Sequence, residues 1–144
     1  MTADLTFVDT NVLVYAYDRD AGAKHDVARD LLARLWAERT GRLSTQVLQE
    51  FYWTVTRKLP KPLQRHAAQE VVATYRAWPV LRPTLDDLTA ATEVEERHRL
   101  AFWDALILVA AERSGASTLA SEDMRHGAGI LGVQISNPFA LDRQ

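Results

Sequence analysis

The run Ala105-Leu106-Ile107-Leu108-Val109-Ala110-Ala111 places seven apolar side chains in a row. With Phe102-Trp103-Asp104 before it and Glu112-Arg113-Ser114-Gly115 after it, residues 102–113 read as a helix that is apolar on nearly every side. Such a helix has almost no face to offer water, so it must sit centrally in a core. The run is far shorter than the roughly 20 residues needed to cross a bilayer. Other elements of the same chain must therefore bury it, and the rest of the sequence supplies them.

Leu5-Thr6-Phe7-Val8 is short, apolar and β-prone, and it runs into Asp9-Thr10-Asn11, the start of a short helix carrying Val12, Leu13, Tyr15 and Ala16. Lys24 to Thr40 follows helical spacing through Val27, Leu31 and Leu35, with Gly41 placed as its C-cap. Leu43-Ser44-Thr45 reads as a second strand, with Ser44 or Thr45 capping a helix through Val47, Phe51 and Val55 that Pro60 and Pro62 end. A helix from Leu63 to Trp78, a strand at Pro79-Val80-Leu81 and a Thr84-capped helix to His98 come next. After the apolar helix, Gly115 closes it, Ser117 to Ala120 forms a strand, and Val133-Gln134-Ile135 forms a last edge strand. Strands alternating with helices imply an α/β fold, a parallel sheet with helices on both faces. Sites in such sheets form beyond the carboxyl ends of the strands.

With 144 residues, 47% apolar and 25% charged, the chain matches one ordinary globular domain, residues 1–144. It has no cysteine, which excludes disulfides and thiolate metal sites and fits a reducing, cytoplasmic compartment. Asp4, Asp9 and Asp18 interrupt the N-terminal region, so no signal peptide is expected. The net charge of −2 argues against a protein that coats nucleic acid through its overall field, yet it allows an acidic centre with a local basic rim.

Four acidic residues stand out. Asp9 ends an apolar strand, Asp123 follows the strand at 118–120, Glu50 sits early in the helix after the second strand, and Asp104 lies in the apolar helix. Each also has a plain reading: Asp9 as an N-cap, Asp104 as a first-turn residue favoured by the helix dipole, Glu50 as solvated, Asp123 as a turn residue. Together they would cluster at one rim of the sheet and repel one another unless a cation bound. An oxygen-only ligand set, without Cys and without a His pair, points to Mg²⁺ or Mn²⁺ rather than zinc. A hard cation there would orient a phosphate, acidify a bound water and stabilise a leaving oxygen, which is what phosphodiester hydrolysis needs.

The pieces Val8-Asp9-Thr10-Asn11-Val12-Leu13, Gln49-Glu50-Phe51, Phe102-Trp103-Asp104-Ala105-Leu106-Ile107, Leu119-Ala120-Ser121-Glu122-Asp123-Met124 and Ile135-Ser136-Asn137-Pro138-Phe139 together resemble the PIN-domain nucleases, and among them the VapC-type toxins of bacterial toxin–antitoxin pairs. The resemblance spans essentially the whole chain in the family's order. It implies a three-layer α/β/α sandwich around a short parallel sheet and Mg²⁺- or Mn²⁺-dependent endoribonuclease activity. It also implies a homodimer silenced by a protein antitoxin. It carries the catalytic and metal-binding positions onto Asp9, Glu50, Asp104 and Asp123, and supporting polar positions onto Asn11 and Ser121. Of the adjacent acids Glu122 and Asp123, alternation in an extended segment selects Asp123 and leaves Glu122 facing solvent.

The stretch Arg57 to His66 is the densest in basic residues and reads as a solvated turn or as a rim that meets phosphates. Arg125 and His126, directly after the fourth carboxylate, are candidate phosphate contacts. Trp36 and Trp78 read as packing residues, while Trp53, three residues beyond Glu50, faces a groove or an interface. The rival readings are a housekeeping RNA-processing nuclease, a nuclease acting on DNA ends, and a non-catalytic α/β binding module. A phosphoaspartyl enzyme fits poorly, since Asn11 stands where a second Asp would follow Asp9.

Overall fold

The computed structural model of the protein describes residues 4–140. Five of the six strands run parallel, the first four being β1 (Thr6–Val8), β2 (Gly41–Ser44), β3 (Val80–Leu81) and β4 (Thr118–Ala120). A hairpin of β5 (Gly129–Ile130) and β6 (Val133–Ser136) completes a six-stranded sheet in the order β3-β2-β1-β4-β6-β5. Phe7 lies level with Arg42 on one side and Leu119 on the other, and Leu119 lies level with Ile135.

Helices α1 (Thr10–Tyr17) and α2 (Ala23–Glu38) connect β1 to β2, and α3 (Thr45–Arg57) and α4 (Arg65–Thr74) connect β2 to β3. Helices α5 (Leu85–His98) and α6 (Phe102–Arg113) then carry the chain from β3 back to β4. Right-handed crossovers oblige that reversal of direction to put α5 and α6 on the opposite face from α1–α4. The result is the α/β/α sandwich expected from the sequence. Helix α6 lies across β2, β4 and β6, and Ala105 through Ala111 are all buried, as an all-round apolar helix requires.

Local chemistry sets the helix starts. The Ser44 hydroxyl accepts from Val47 N–H, and Thr84 with Asp87 forms a reciprocal capping box at α5. Asp87 is buried, and the Arg113 guanidinium at the end of α6 donates to both its carboxylate oxygens at 2.6 and 2.7 Å. Burial alone would raise that carboxyl, but the Arg113 and Thr84 hydrogen bonds outweigh it and hold it below the ordinary carboxylate range. This pair clamps α5 to α6, the helix that carries Asp104.

Several boundaries differ from the sequence reading. Gly41 is not a helix C-cap: Arg39 takes the left-handed conformation at φ 59°, and Gly41 opens β2. It is glycine because the Trp78 ring lies over it, where a Cβ would come within 2.3 Å of the indole. The helix expected over 63–78 starts at Arg65 and breaks after Thr74 into a single 3₁₀ turn, Tyr75–Ala77, which turns Tyr75 and Trp78 inward against Trp36. The strand at 133–136 is not the sheet edge, because β5 covers it.

Replacing Asp87 with Ala removes its half of the α5 capping box and the α5–α6 clamp together, while the Thr84 cap remains. The expected cost is about 2–3 kcal/mol, read as a lower urea midpoint with an unchanged slope.

Candidate functional site

The switch in connection direction falls between β1 and β4, whose carboxyl ends lie side by side and open a crevice. Asp9 stands at that point. Its backbone N–H donates to the Ala120 carbonyl at 2.9 Å, so the end of β4 fixes its position. The side chain, 5% exposed, accepts from Thr10 N–H at 2.7 Å through Oδ1 and from the Ser121 hydroxyl at 2.7 Å through Oδ2. Asp9 is therefore the N-cap of α1 as well as a site carboxylate, and the two readings coexist. Burial pushes its pKa up to about 6; the Ser121 and Thr10 hydrogen bonds oppose the rise, and the nearby charges of Asp123 and Asp104 add to it.

Glu50, in the second turn of α3, reaches the same crevice. Its Oε1 accepts from the Thr10 hydroxyl at 2.6 Å and its Oε2 from the buried Gln46 amide at 3.0 Å. The carboxylate is thus held by two donors, Thr10 from α1 and Gln46 one turn earlier on its own helix. Asp104 lies in the first turn of α6 and is half-buried rather than enclosed. The apolar stretch burying it begins only at Ala105, and Trp103 on its other side is 61% exposed. Burial raises the Asp104 pKa first, and the charges of Asp123 and Glu50 raise it further.

Asp123 is exposed on the bend that follows β4, and its N–H donates to the Ser121 hydroxyl oxygen at 3.2 Å. Ser121, fully buried, thereby links two of the acids: it donates to Asp9 and accepts from Asp123. Asn11 accepts the Glu122 N–H at 3.2 Å and ties α1 to the same bend, while its buried amide nitrogen has no partner among the described residues.

The expectation that Glu122 faces solvent is wrong. The chain bends after Ala120 instead of continuing as a strand, so alternation does not apply. Glu122 turns back to accept from the Tyr15 hydroxyl at 2.8 Å and to pair with the Lys24 ammonium. Burial would raise its carboxyl, but these two donors hold it below the usual range. Of the five acids at this rim, Glu122 is the one neutralised by a lysine. Among the described residues, no Lys or Arg pairs with Asp9, Glu50, Asp104 or Asp123.

The open cleft in front of these groups measures about 590 Å³ and is lined by Thr10, Asn11, Glu50, Trp53, Leu59 and Asp123, among others. Arg125 and His126 do not line it. Arg125 is exposed, and His126 Nδ1 accepts the Asn137 N–H at 2.9 Å. As the side chains stand, no three His, Asp or Glu groups among the described residues close on a single point. They form a set of facing, uncompensated oxygens rather than a finished cage. That donor set suits a hard cation: all oxygen, excess negative charge, no sulfur and no imidazole.

Three participants escaped the sequence reading. Gln46 lies four residues before Glu50, a helical spacing that brings amide and carboxylate together and could have signalled the pair. Thr10 sits inside the Val8–Leu13 motif but had no role assigned. Lys24 lies 98 positions from Glu122, and nothing local to either residue announces that contact.

The raised Asp9 pKa has a sign that can be checked. Unfolded, the carboxyl titrates near 3.8; folded, near 6. Its stabilising proton uptake is complete below the unfolded value and is lost as pH rises through about 6. At neutral pH the folded, metal-free protein therefore carries a penalty of about 3 kcal/mol from this one charge. Asp9→Asn should raise the urea midpoint in EDTA at about pH 7.5, and the gain over wild type should shrink towards about pH 4.

A family model for the PIN domain matches residues 6–128. Among curated protein sequences, none matches the chain. Among solved structures, the chain is similar to VapC20 of Mycobacterium tuberculosis, described as a sarcin–ricin loop cleaving toxin, at 25% identity and a TM-score of 0.62, covering 82% of this chain and 89% of that one. It is also similar in fold to a toxin–antitoxin complex from Klebsiella pneumoniae, at 18% identity and a TM-score of 0.68, over 94% and 99% of the two chains. DNA-bound VapBC from Salmonella typhimurium matches at 15% identity and a TM-score of 0.66, over 94% and 99%. The family model covers most of the chain and includes the whole carboxylate cleft, and the protein belongs to the PIN-domain family.

Proposed function

We propose that this chain is, as a single domain, a Mg²⁺- or Mn²⁺-dependent endoribonuclease and the toxin of a toxin–antitoxin pair. The observation that carries the reading is the uncompensated charge. Four carboxylates from the ends of β1 and β4, from α3 and from α6 lie near enough for their charges to act on one another, and among the described residues no Lys or Arg pairs with them. Fold stability alone would not select that arrangement, since Asp9 is buried and costs free energy where it stands. A divalent cation is the partner such a site is built to receive. Its carboxylate ligands would be Asp9, Asp104 and Asp123, with Glu50 completing the set.

When bound, Mg²⁺ or Mn²⁺ supplies charge neutralisation, a grip on the phosphate and a more acidic water. The chain's own groups do the rest. Ser121 and Thr10 hold the two Asp9 oxygens in fixed directions. Thr10 and Gln46 orient the Glu50 carboxylate, which retains lone pairs to accept a proton from the attacking water. Asn11 holds the bend that presents Asp123. Arg125, exposed beside that bend, would meet a phosphate further along the substrate, whereas His126 is engaged by the tail at Asn137.

The toxin reading brings with it a cytoplasmic setting, a homodimer and a protein antitoxin. One similar structure is described as a toxin–antitoxin complex and another as a sarcin–ricin loop cleaving toxin, and both support it. Among the described residues no helix is long and apolar enough to cross a membrane.

The deciding experiment is cleavage of a mixed small-RNA pool by purified protein in Mg²⁺ or Mn²⁺ against EDTA. Cleavage should need metal, and Asp104→Asn should lower it by more than about 100-fold with the fold intact by circular dichroism. Full activity in EDTA, or in the mutant, would sink the assignment. Gln46→Ala, which removes a positioning donor to Glu50 without touching the ligand set, should lower kcat about 10-fold and leave metal affinity within a few-fold.

A further inference from the structure

Beside the carboxylate cleft a second groove of about 990 Å³ opens between α3 and α4, and Gln49 and Trp53 line both. The two adjoin at Trp53, which forms a wall of each. The groove's walls are largely apolar, with Leu48, Tyr52 and Val72, and its charged lining is basic only: Arg57 and Arg65, with His66 beside them paired to Glu70. In a chain of net charge −2, a groove lined by arginines and no carboxylate is a local reversal of sign. Trp53 is 54% exposed yet held in place, because the Arg57 guanidinium lies over its ring at 4.1 Å from the centroid. One turn of α3 separates it from Glu50, a rise of about 4.5 Å.

We propose that this groove is the track for single-stranded RNA on one side of the scissile phosphate. Trp53 is the stacking platform for the base next to the cleft, and Arg57 and Arg65 contact the following phosphates. The proposal rests on the nuclease reading above and extends it to substrate binding. An occupant must be both anionic and able to lay flat apolar surface on an indole. A nucleotide strand meets both demands in every repeat, since each base has a face for stacking and each linkage carries one charge. The shared wall gives the strand its direction, because a strand leaving the carboxylates past Glu50 meets Trp53 one turn further along α3.

The test is fluorescence anisotropy with a short, end-labelled, unstructured RNA in EDTA, so that nothing is cut, alongside cleavage of the same RNA in Mn²⁺. Trp53→Ala should weaken binding about 10-fold and Trp53→Phe should keep most of the affinity. Arg57→Gln combined with Arg65→Gln should flatten the slope of log affinity against log salt by about 1.4. If the protein cleaves RNA while binding ignores Trp53 and both arginines, this inference falls and the nuclease reading stands. If it neither binds nor cleaves, both fall. A wild-type dimer that Trp53→Ala dissociates would assign the groove to a second copy of the chain and overturn the proposal.

Discussion

The parallel pairing of β1 with β4 is the contact on which the cleft depends. It matches Val8 with Ala120, so the next residue of each strand leaves the sheet at the same height. Asp9 N–H then closes on the Ala120 carbonyl and Ser121 on the Asp9 carboxylate. A shift of one residue in this register would turn Asp9 to the other face of the sheet. The shift would also take Asp9 away from the Ala120 carbonyl and the Ser121 hydroxyl, leaving a buried carboxylate short of its donors. The register of two strands of three residues each, buried on both faces, thus sets the position of the Asp9 carboxylate to within a hydrogen bond.

Around this fixed point the remaining acids come in on separate elements, each with its own support. Thr10 serves two of them, giving its backbone N–H to Asp9 and its hydroxyl to Glu50. Ser121 likewise joins Asp9 to Asp123. The cleft is therefore rigid in its hydrogen bonds and unfavourable in its charge. Those are the two properties expected of a site organised for a ligand rather than for the stability of the empty protein.

Much of this was legible in the sequence. The largely apolar 102–113 segment announced a central helix, the Thr84 cap and Gly115 marked ends correctly, and the acids after short β-prone runs pointed to the carboxyl edge of the sheet. The misreadings share a cause, which is long-range contact. Gly41 looked like a cap, but its reason is a tryptophan 37 positions away pressing on its Cα. Glu122 was assigned by strand alternation, and a bend plus a distant lysine decided otherwise. Asp104 has apolar neighbours in sequence, yet the helix begins at Phe102 and leaves that first turn partly in solvent. Local pattern predicts elements well, but it carries no information about which surface a neighbouring element will cover.

The two ends of the sheet have a bearing on how anything can attach to it. Both outermost strands, β3 at Val80–Leu81 and β5 at Gly129–Ile130, are only two residues long. A visiting strand would find too few free backbone groups on either flank to form a ladder, which guards against edge-to-edge aggregation. The same brevity closes off β-strand addition as a mode of recognition. Among the described residues, recognition of a macromolecule then falls to side chains on the helices and on the loops at the cleft.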